Sequence, residues 1–289
     1  MKQNKESEET ENAMKPDEFF IKFWGARGSI AAPGSHSVKF GGNTSCVEMR
    51  CGDRLLVFDA GTGIRELGRS LVNSPHNSFH LLFTHCHFDH ISGLPFFAQL
   101  FDPSFSIDIW SGHLKIPNAT RTMISDFMKG PYFPVGVEVF KANITHHDFK
   151  PRDTIETYPE IAITTCPLNH HDECVAYRVE FNGKSACYVT DTTHTVGEID
   201  QSIVSFVKDA DLMIYDSAYT DEEFSEFQYF GHSTWQEGVR ICKAANVKRL
   251  GIFHHRPSRT DHQLEQINKQ AIQEFSGSFV VQEGSEIKI

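Results

Sequence analysis

The sequence has no apolar run long enough to cross a bilayer, and no signal-type hydrophobic segment follows its first residues. Its seven cysteines are scattered through 289 residues without a CxxC pair. An odd, dispersed set of this kind predicts free, mostly buried thiols in a reducing compartment, so the expected location is the cytoplasm. Basic residues are in deficit, 27 Lys and Arg against 38 Asp and Glu, for a formal net charge of −11. That balance argues against a chain that grips a polyanion through clustered cations. It does not exclude a small anion held by metal ions. There is no GxSxG elbow for a serine nucleophile, no P-loop, and no GxGxxG fingerprint in a strand–helix setting. No fixed-period repeat and no linker divides the chain.

What remains is ordinary globular material, 39% hydrophobic and 22% charged, long enough to bury a core without staples. Residues 1–18 are charged and nearly devoid of apolar side chains, which predicts a mobile tail. Residues 19–289 read as one domain. "FFIKFWG" predicts a strand, and "SCVEMRCGDRLLVFDAGTG" a hairpin turning at Gly52 and Asp53. "IRELGRSLV" predicts a helix, "SFHLLFTH" a buried strand, and "SGLPFFAQLF" a helix after it. "FSIDIWSG", "IAITTCPLNH", "CVAYRVEFNG", "SACYVTDT", "DADLMIYDSAY" and "KRLGIFHH" predict further strands, and "SFVVQEGSEIKI" closes with β structure. "STWQEGVRICKAANV" predicts a helix capped by Ser233 or Thr234, with Gln236 or Glu237 closing a capping box. "DHQLEQINKQAIQEF" predicts another, with Leu264, Ile267, Ala271 and Phe275 on one face. Strand-rich runs with helices between them, in both halves, imply a layered α/β domain with two sheets.

Histidine is the residue in surplus: sixteen, gathered at a few places. "HCHFDH" puts His85, His87, Asp89 and His90 directly after an apolar strand. His170 and His171, Asp191, and His254 and His255 also follow strands, where loops present side chains at a sheet rim. Imidazole and carboxylate are the ligand set for zinc and related divalent ions. A chance HxHxDH arises in roughly a few per thousand chains of this length and histidine content, so the motif is informative. In each doublet one member is the expected ligand and the other a neighbour. His146 and His147 lie in a polar stretch, "ANITHHDFKPRD", that reads as a solvated loop.

These residues, in this order, resemble the metallo-β-lactamase superfamily, whose ligand pattern is HxHxDH, a distant His, a bridging Asp and a final His. "FDAGTG" resembles the family's strand-to-helix turn near the site. "WGARGSIAAPG", "FGGNTSC" and "GHSTWQEG" resemble its phosphodiesterase and tRNase Z branch, which includes cyclic-nucleotide phosphodiesterases. The resemblance spans nearly the whole chain from about Phe19 and implies a four-layer αββα sandwich with two mixed β-sheets. It implies two divalent metal ions, zinc with manganese or iron as alternatives. One would be held by His85, His87 and His170, the other by Asp89, His90 and His254, with Asp191 between them. His171 and His255 are the one-position alternatives.

The activity implied is that of a metal-dependent hydrolase: a phosphodiesterase acting by metal-bridged hydroxide attack on a cyclic nucleotide of the cAMP or cGMP kind. Asp89 and His232 are the expected catalytic groups, His232 as proton donor to the leaving oxygen. Asn43, Tyr132 and Phe133 are candidate substrate contacts. Arg27 is either a phosphate contact or a structural ion pair. The expected partner is a small phosphodiester, without membrane association and without stable binding of a nucleic-acid polymer, and a homodimer is allowed. The alternatives are a tRNA 3′-processing nuclease, a thioester or lactone hydrolase, and a non-catalytic nucleotide sensor. The nuclease reading is disfavoured by the acidic charge and by the lack of a basic arm.

Overall fold

The protein was analysed as a computed structural model that describes residues 17–72 and 74–289. Of the tail expected over residues 1–18, residues 1–16 lie outside that range. The first half runs β1 (Phe19–Gly25), β2 (Cys46–Cys51), β3 (Arg54–Phe58), α1 (Ile64–Leu71), β4 (Ser78–Phe83), α2 (Phe88–Ile91), β5 (Ser106–Ser111), α3 (Ala119–Phe127) and β6 (Asn143–Asp148). The second runs β7 (Thr154–Ile155), β8 (Ala162–Leu168), β9 (Cys174–Phe181), β10 (Lys184–Val189), α4 (Gln201–Phe206), β11 (Leu212–Asp216), α5 (Asp221–Phe227), α6 (Trp235–Ala244), β12 (Leu250–Phe253), α7 (Asp261–Glu274), β13 (Ser278–Val280) and β14 (Glu286–Lys288).

One sheet has the order β14-β1-β2-β3-β4-β5-β6 and the other β13-β12-β11-β10-β9-β8-β7. Both are mixed. In the first, antiparallel pairing from β14 to β3 gives way to parallel pairing from β3 to β6. In the second, antiparallel pairing from β7 to β10 gives way to parallel pairing from β10 to β13. The central parallel strands β11 and β12 are buried on both faces and carry continuous apolar runs, "LMIYD" and "LGIF".

Between the sheets lies an aromatic layer. Phe58 meets Tyr177 at 5.2 Å between ring centroids, and Phe253 meets Tyr188 at 5.5 Å and Phe23 at 6.4 Å. The outer face of the first sheet is covered by α1, through Ile64, Leu67 and Leu71, and by α3, through Met123 and Ile124. The outer face of the second is covered by Trp235, Val239 and Cys242 of α6 and by Leu264, Ile267 and Ala271 of α7. The result is the expected four-layer αββα arrangement. Thr260 and Gln263 form a reciprocal capping box on α7, and Thr234 caps α6 by accepting from the Glu237 amide; such caps contribute about 1 kcal/mol each. All seven cysteines are free, and all but the half-buried Cys86 are buried.

Two stretches depart from the sequence reading. "SGLPFFAQLF" forms two short 3₁₀ turns over Leu94–Phe96 and Ala98–Phe101 instead of an α-helix. Its fully buried large apolar side chains are Leu94, Phe97 and Leu100, a period of three that suits 3₁₀ winding. "ANITHHDFKPRD" contains β6, the edge strand of the first sheet, rather than a loop. Its polar residues find partners across the sheet: the His147 ring stacks on Trp110 at 3.9 Å, and its Nε2 lies 2.6 Å from Asp108 Oδ1. A polar edge also discourages further strand pairing.

One buried histidine outside the site makes stability depend on pH. His80 of β4 is 8% exposed, and its Nδ1 accepts from Trp110 Nε1 at 2.9 Å, a bond only the neutral ring can make. Burial lowers its pKa to about 4. Because the folded value lies below the unfolded one of about 6.5, the stability is fully present above pH 6.5 and is lost as pH falls toward 4. The limit is about 3 kcal/mol. Urea unfolding of His80→Gln against the parent should show a flatter loss of stability between pH 6.5 and 4. Identical slopes would refute the assignment.

Candidate metal centre

The site stands at the carboxyl ends of strands from both sheets, β4, β10 and β12 from the parallel parts and β8 from the antiparallel part. β4 delivers His85, His87, Asp89 and His90; β8 delivers His170; β10 delivers Asp191; β12 delivers His254. Asp191 and His254 both have left-handed backbone, with φ of 52° and 61°. This conformation is costly for a residue with a side chain, and it persists where surrounding structure enforces it. Here both of these residues belong to the cluster.

Three overlapping groups of potential ligand atoms result among the described residues, each with its atoms within 4.8 Å of one another; the third joins Asp191 and His254 to Asp216 and His232, and the other two carry the expected ligands. Of those two, one contains His85, His87, His170 and Asp191, the other Asp89, His90, His254 and Asp191. Asp191 belongs to both. Its Oδ1 lies 3.2 Å from His90 Nε2 and 3.3 Å from His254 Nε2, and its Oδ2 lies 3.7 Å from both His85 Nε2 and His170 Nε2. His170 Nε2 is 3.0 Å from His87 Nδ1, and Asp89 Oδ2 is 3.0 Å from His254 Nε2.

The rings are held from behind. His85 Nδ1 meets Thr84 Oγ1 at 3.1 Å, His90 Nδ1 meets Asp59 Oδ2 at 2.8 Å, and His170 Nδ1 meets the Gly231 carbonyl at 2.8 Å. Outer partners of this kind fix which nitrogen faces inward. The inward Nε2 atoms of His85 and His90 are buried with no hydrogen-bond partner, which is what a cation site requires and a hydrogen-bonded core does not. Two glycines leave no spare room. A Cβ on Gly28 would come within 2.3 Å of the His254 ring, and one on Gly231, at φ +82°, within 2.7 Å of His170 Nδ1.

The electrostatics fit the same purpose. Burial raises the Asp191 carboxyl, but His254, His90 and His85 outweigh it and hold it well below the usual range. Asp89 behaves alike: burial pushes up, and His90 and His254 pull further down. Burial lowers His85 and His170. Burial also pushes His90 down, yet Asp191, Asp89 and Asp59 more than reverse it. Carboxylates ionised in a buried pocket of imidazoles form a donor set suited to divalent cations.

The doublets are separated plainly. His170 is in the cluster, while His171 bonds outward through Nε2 to the Tyr229 carbonyl at 3.0 Å. His254 is in the cluster, while His255 is buried, bonded to the Val281 carbonyl at 2.8 Å. His232 stands beside both groups. Its Nδ1 is 3.0 Å from Asp216 Oδ2 and 3.8 Å from Asp191 Oδ2, and its ring is 4.7 Å from that of His254. Burial lowers His232, but Asp216 outweighs it and brings the pKa up to about 9.

Other expected contacts are engaged elsewhere or lie outside. The Asn43 amide gives a hydrogen bond to Glu283 Oε1 at 2.6 Å and accepts one from Thr62 Oγ1 at 3.0 Å. Arg27 is neither a phosphate contact nor an ion pair: it is fully buried and donates to the carbonyls of Gly41 and Arg259, both at 2.7 Å. Tyr132 is 94% exposed, and Phe133 packs against Phe96 at 6.1 Å.

Two carboxylates escaped the sequence reading. Asp59, at φ 60°, is completely buried and accepts from the Thr84 amide at 2.8 Å, Thr84 Oγ1 at 2.9 Å and Tyr188 Oη at 3.0 Å, besides holding His90. Asp216 accepts from the Thr192 amide at 3.0 Å while holding His232. Both follow apolar strands, in "VFDAG" and "MIYDSA", which is the signal that singled out Asp191. Asp59→Ala should cost about 3–5 kcal/mol, since it strands several buried polar partners at once. Asp59→Asn should cost less, because Asn tolerates the left-handed backbone and can still accept from Thr84. Urea unfolding of the chelated protein measures both, and equal costs would contradict the account.

The sequence profile of the β-lactamase superfamily domain matches residues 54–255. Ribonuclease Z of Pyrococcus furiosus is 24% identical over 263 residues, which cover 74% of this chain and 81% of that protein. Among solved structures, a diphosphatase of the PhnP family superposes with a TM-score of 0.71 at 18% identity, over 94% of this chain and 97% of that one. Human tRNase Z, short form, gives 0.65 at 18% identity, over 93% of this chain and 98% of that one. A relative that is a ribonuclease acts on a nucleic-acid polymer, and this overturns the expectation of a small phosphodiester without polymer binding. The physical reason lies in the charge argument. A net charge of −11 sums over the whole surface, whereas a strand of RNA meets only the part around the site. Among the described residues no helix is long and apolar enough to cross a membrane.

Proposed function

Because the chain belongs to the β-lactamase superfamily, a family of metal-dependent hydrolases, we propose that it is a phosphodiesterase whose substrate is RNA. The observation that carries this reading is the pair of His and Asp groups joined at Asp191, with His232 held against both by Asp216. His85, His87 and His170 would hold one divalent cation, Asp89, His90 and His254 a second, and Asp191 both. Zinc, manganese and iron all suit such donors. When bound there, the cations supply Lewis acidity toward phosphate oxygens and toward water.

The chain's own groups do the rest. Asp216 fixes His232 by its Nδ1, which leaves the Nε2 proton to be given to the departing ribose oxygen. The negative charge of Asp89 lies close enough to favour the protonated His232 ring. Asp89 Oδ2 also accepts from the Ser29 amide at 2.7 Å, which ties the loop after β1 to the site. Buried walls around His85, His90 and His254 keep bulk water from screening these charges.

The named curated relative is a ribonuclease, and this gives RNA more support than the cyclic nucleotide expected from the sequence. The test is direct. Metal-replete protein is incubated with a tRNA precursor bearing a 3′ trailer, with an unstructured RNA, with cyclic AMP and with bis(p-nitrophenyl) phosphate. The expected result is RNA cleavage more efficient than cyclic AMP hydrolysis. Hydrolysis of the synthetic ester without cleavage of either RNA would overturn the RNA reading, and no phosphodiester turnover at all would overturn the whole proposal.

A further inference from the structure

We infer that the segment before His232 forms a stacking platform for a nucleobase flanking the scissile phosphate. The inference rests on the RNA reading for its ligand. Tyr229 and Phe230 are 81% and 60% exposed, an unusual state for two adjacent large aromatics. They are not on a remote loop. The Tyr229 carbonyl accepts from His171 Nε2, the Gly231 carbonyl accepts from His170 Nδ1, and His232 follows at once. The backbone that fixes His170 of the cluster and its neighbour His171 therefore also fixes these rings at the rim.

Behind them the rings continue inward. Phe230 packs on Phe227 at 5.9 Å, and Phe227 stacks on Tyr219 at 5.0 Å with planes 11° apart. The Arg256 guanidinium lies 4.2 Å from the Phe227 centroid and 5.8 Å from that of Tyr219. Arg256 is two residues beyond His254, so it links the platform to the other side of the site. Aromatic faces with an interleaved Arg are how proteins hold single-stranded nucleic acid without reading its sequence: bases stack on the rings, and the guanidinium stacks or meets phosphate. Phe227 and Tyr219 stiffen the inner part, so little ordering is left to be done on binding.

The test uses the metal-replete full chain, with Tyr229→Ala, Phe230→Ala and, as a surface control, Ile272→Ala. The first readout is the fluorescence quench of 2-aminopurine in a short RNA, measured on mixing and before turnover. The second is KM for cleavage of RNA with or without a base at the positions flanking the cut. Each platform variant should weaken binding by about five- to a hundredfold, raising KM more than it lowers kcat. An abasic flank should cause a comparable loss in the parent and little further loss in the variants. Ile272→Ala should match the parent. A quench absent in the parent, or unchanged by both platform variants, overturns the platform whatever the cleavage shows. A quench lost in the variants while the parent cleaves no RNA keeps the platform and removes the RNA-hydrolysis reading.

Discussion

Asp191→Asn should lower RNA cleavage at least about a thousandfold and cut the bound metal from the proposed two ions per chain to one or fewer. One preorganised electrostatic group removed from an active site typically costs about 10²–10³ in turnover. Asp191 should exceed that, because it is the member common to both groups. Its two oxygens face different sets, Oδ1 toward His90 and His254 and Oδ2 toward His85 and His170. Asn is the informative replacement. It tolerates φ of 52°, so the strand end keeps its path, and it retains one oxygen while losing the charge. Metal content by mass spectrometry and single-turnover cleavage check the result. Two ions retained with near-parental rates would show that Asp191 is not the shared ligand.

His232→Ala should lower kcat on RNA about a thousandfold, within the range of general acid catalysis, with metal content unchanged. The leaving group tells proton donation from mere positioning. A ribose alkoxide needs a proton, whereas p-nitrophenolate leaves without one. The loss on bis(p-nitrophenyl) phosphate should therefore be under about tenfold. Asp216→Ala should fall in the same direction, and the double variant should be little worse than His232→Ala, because Asp216 works through that ring. Equal losses on both substrates would make His232 a structural group and not the acid.

The candidate ligands stood out in the sequence because they gather just after apolar runs that read as strands. His85 after "HLLFT" and His254 after "RLGIF" were legible as rim residues before any pairing was known. The doublets were not resolvable by spacing alone. The structure brings one member of each into the cluster through the backbone path: φ is 61° at His254, and His171 is directed to the Tyr229 carbonyl. Asp59 and Asp216 were missed because a lone Asp after a strand ordinarily reads as a turn residue. Their importance lies in partners 16 to 129 residues away. α3, α4 and α5 went unread: α4 and α5 have only six and seven residues, too short for a periodic signal, and each buries a single apolar side chain. Tyr229 and Phe230 were hidden among 24 Phe and 7 Tyr, where exposure cannot be read from identity.

The two sheets contribute unequally named but equally necessary halves of the site. His85, His87, Asp89 and His90 leave the first sheet, and His170, Asp191 and His254 leave the second. Each proposed cation would therefore be held by residues from both, and would act as a rivet through the sandwich. The spacing of its ligands is then set by the thickness of the aromatic layer of Phe58, Tyr177, Tyr188 and Phe253. A smaller side chain at Phe58, which is outside the proposed ligand set, should let the halves approach and change which ion fits best. The metal preference of the proposed site would then be a readout of core packing, adjustable without touching a single ligand.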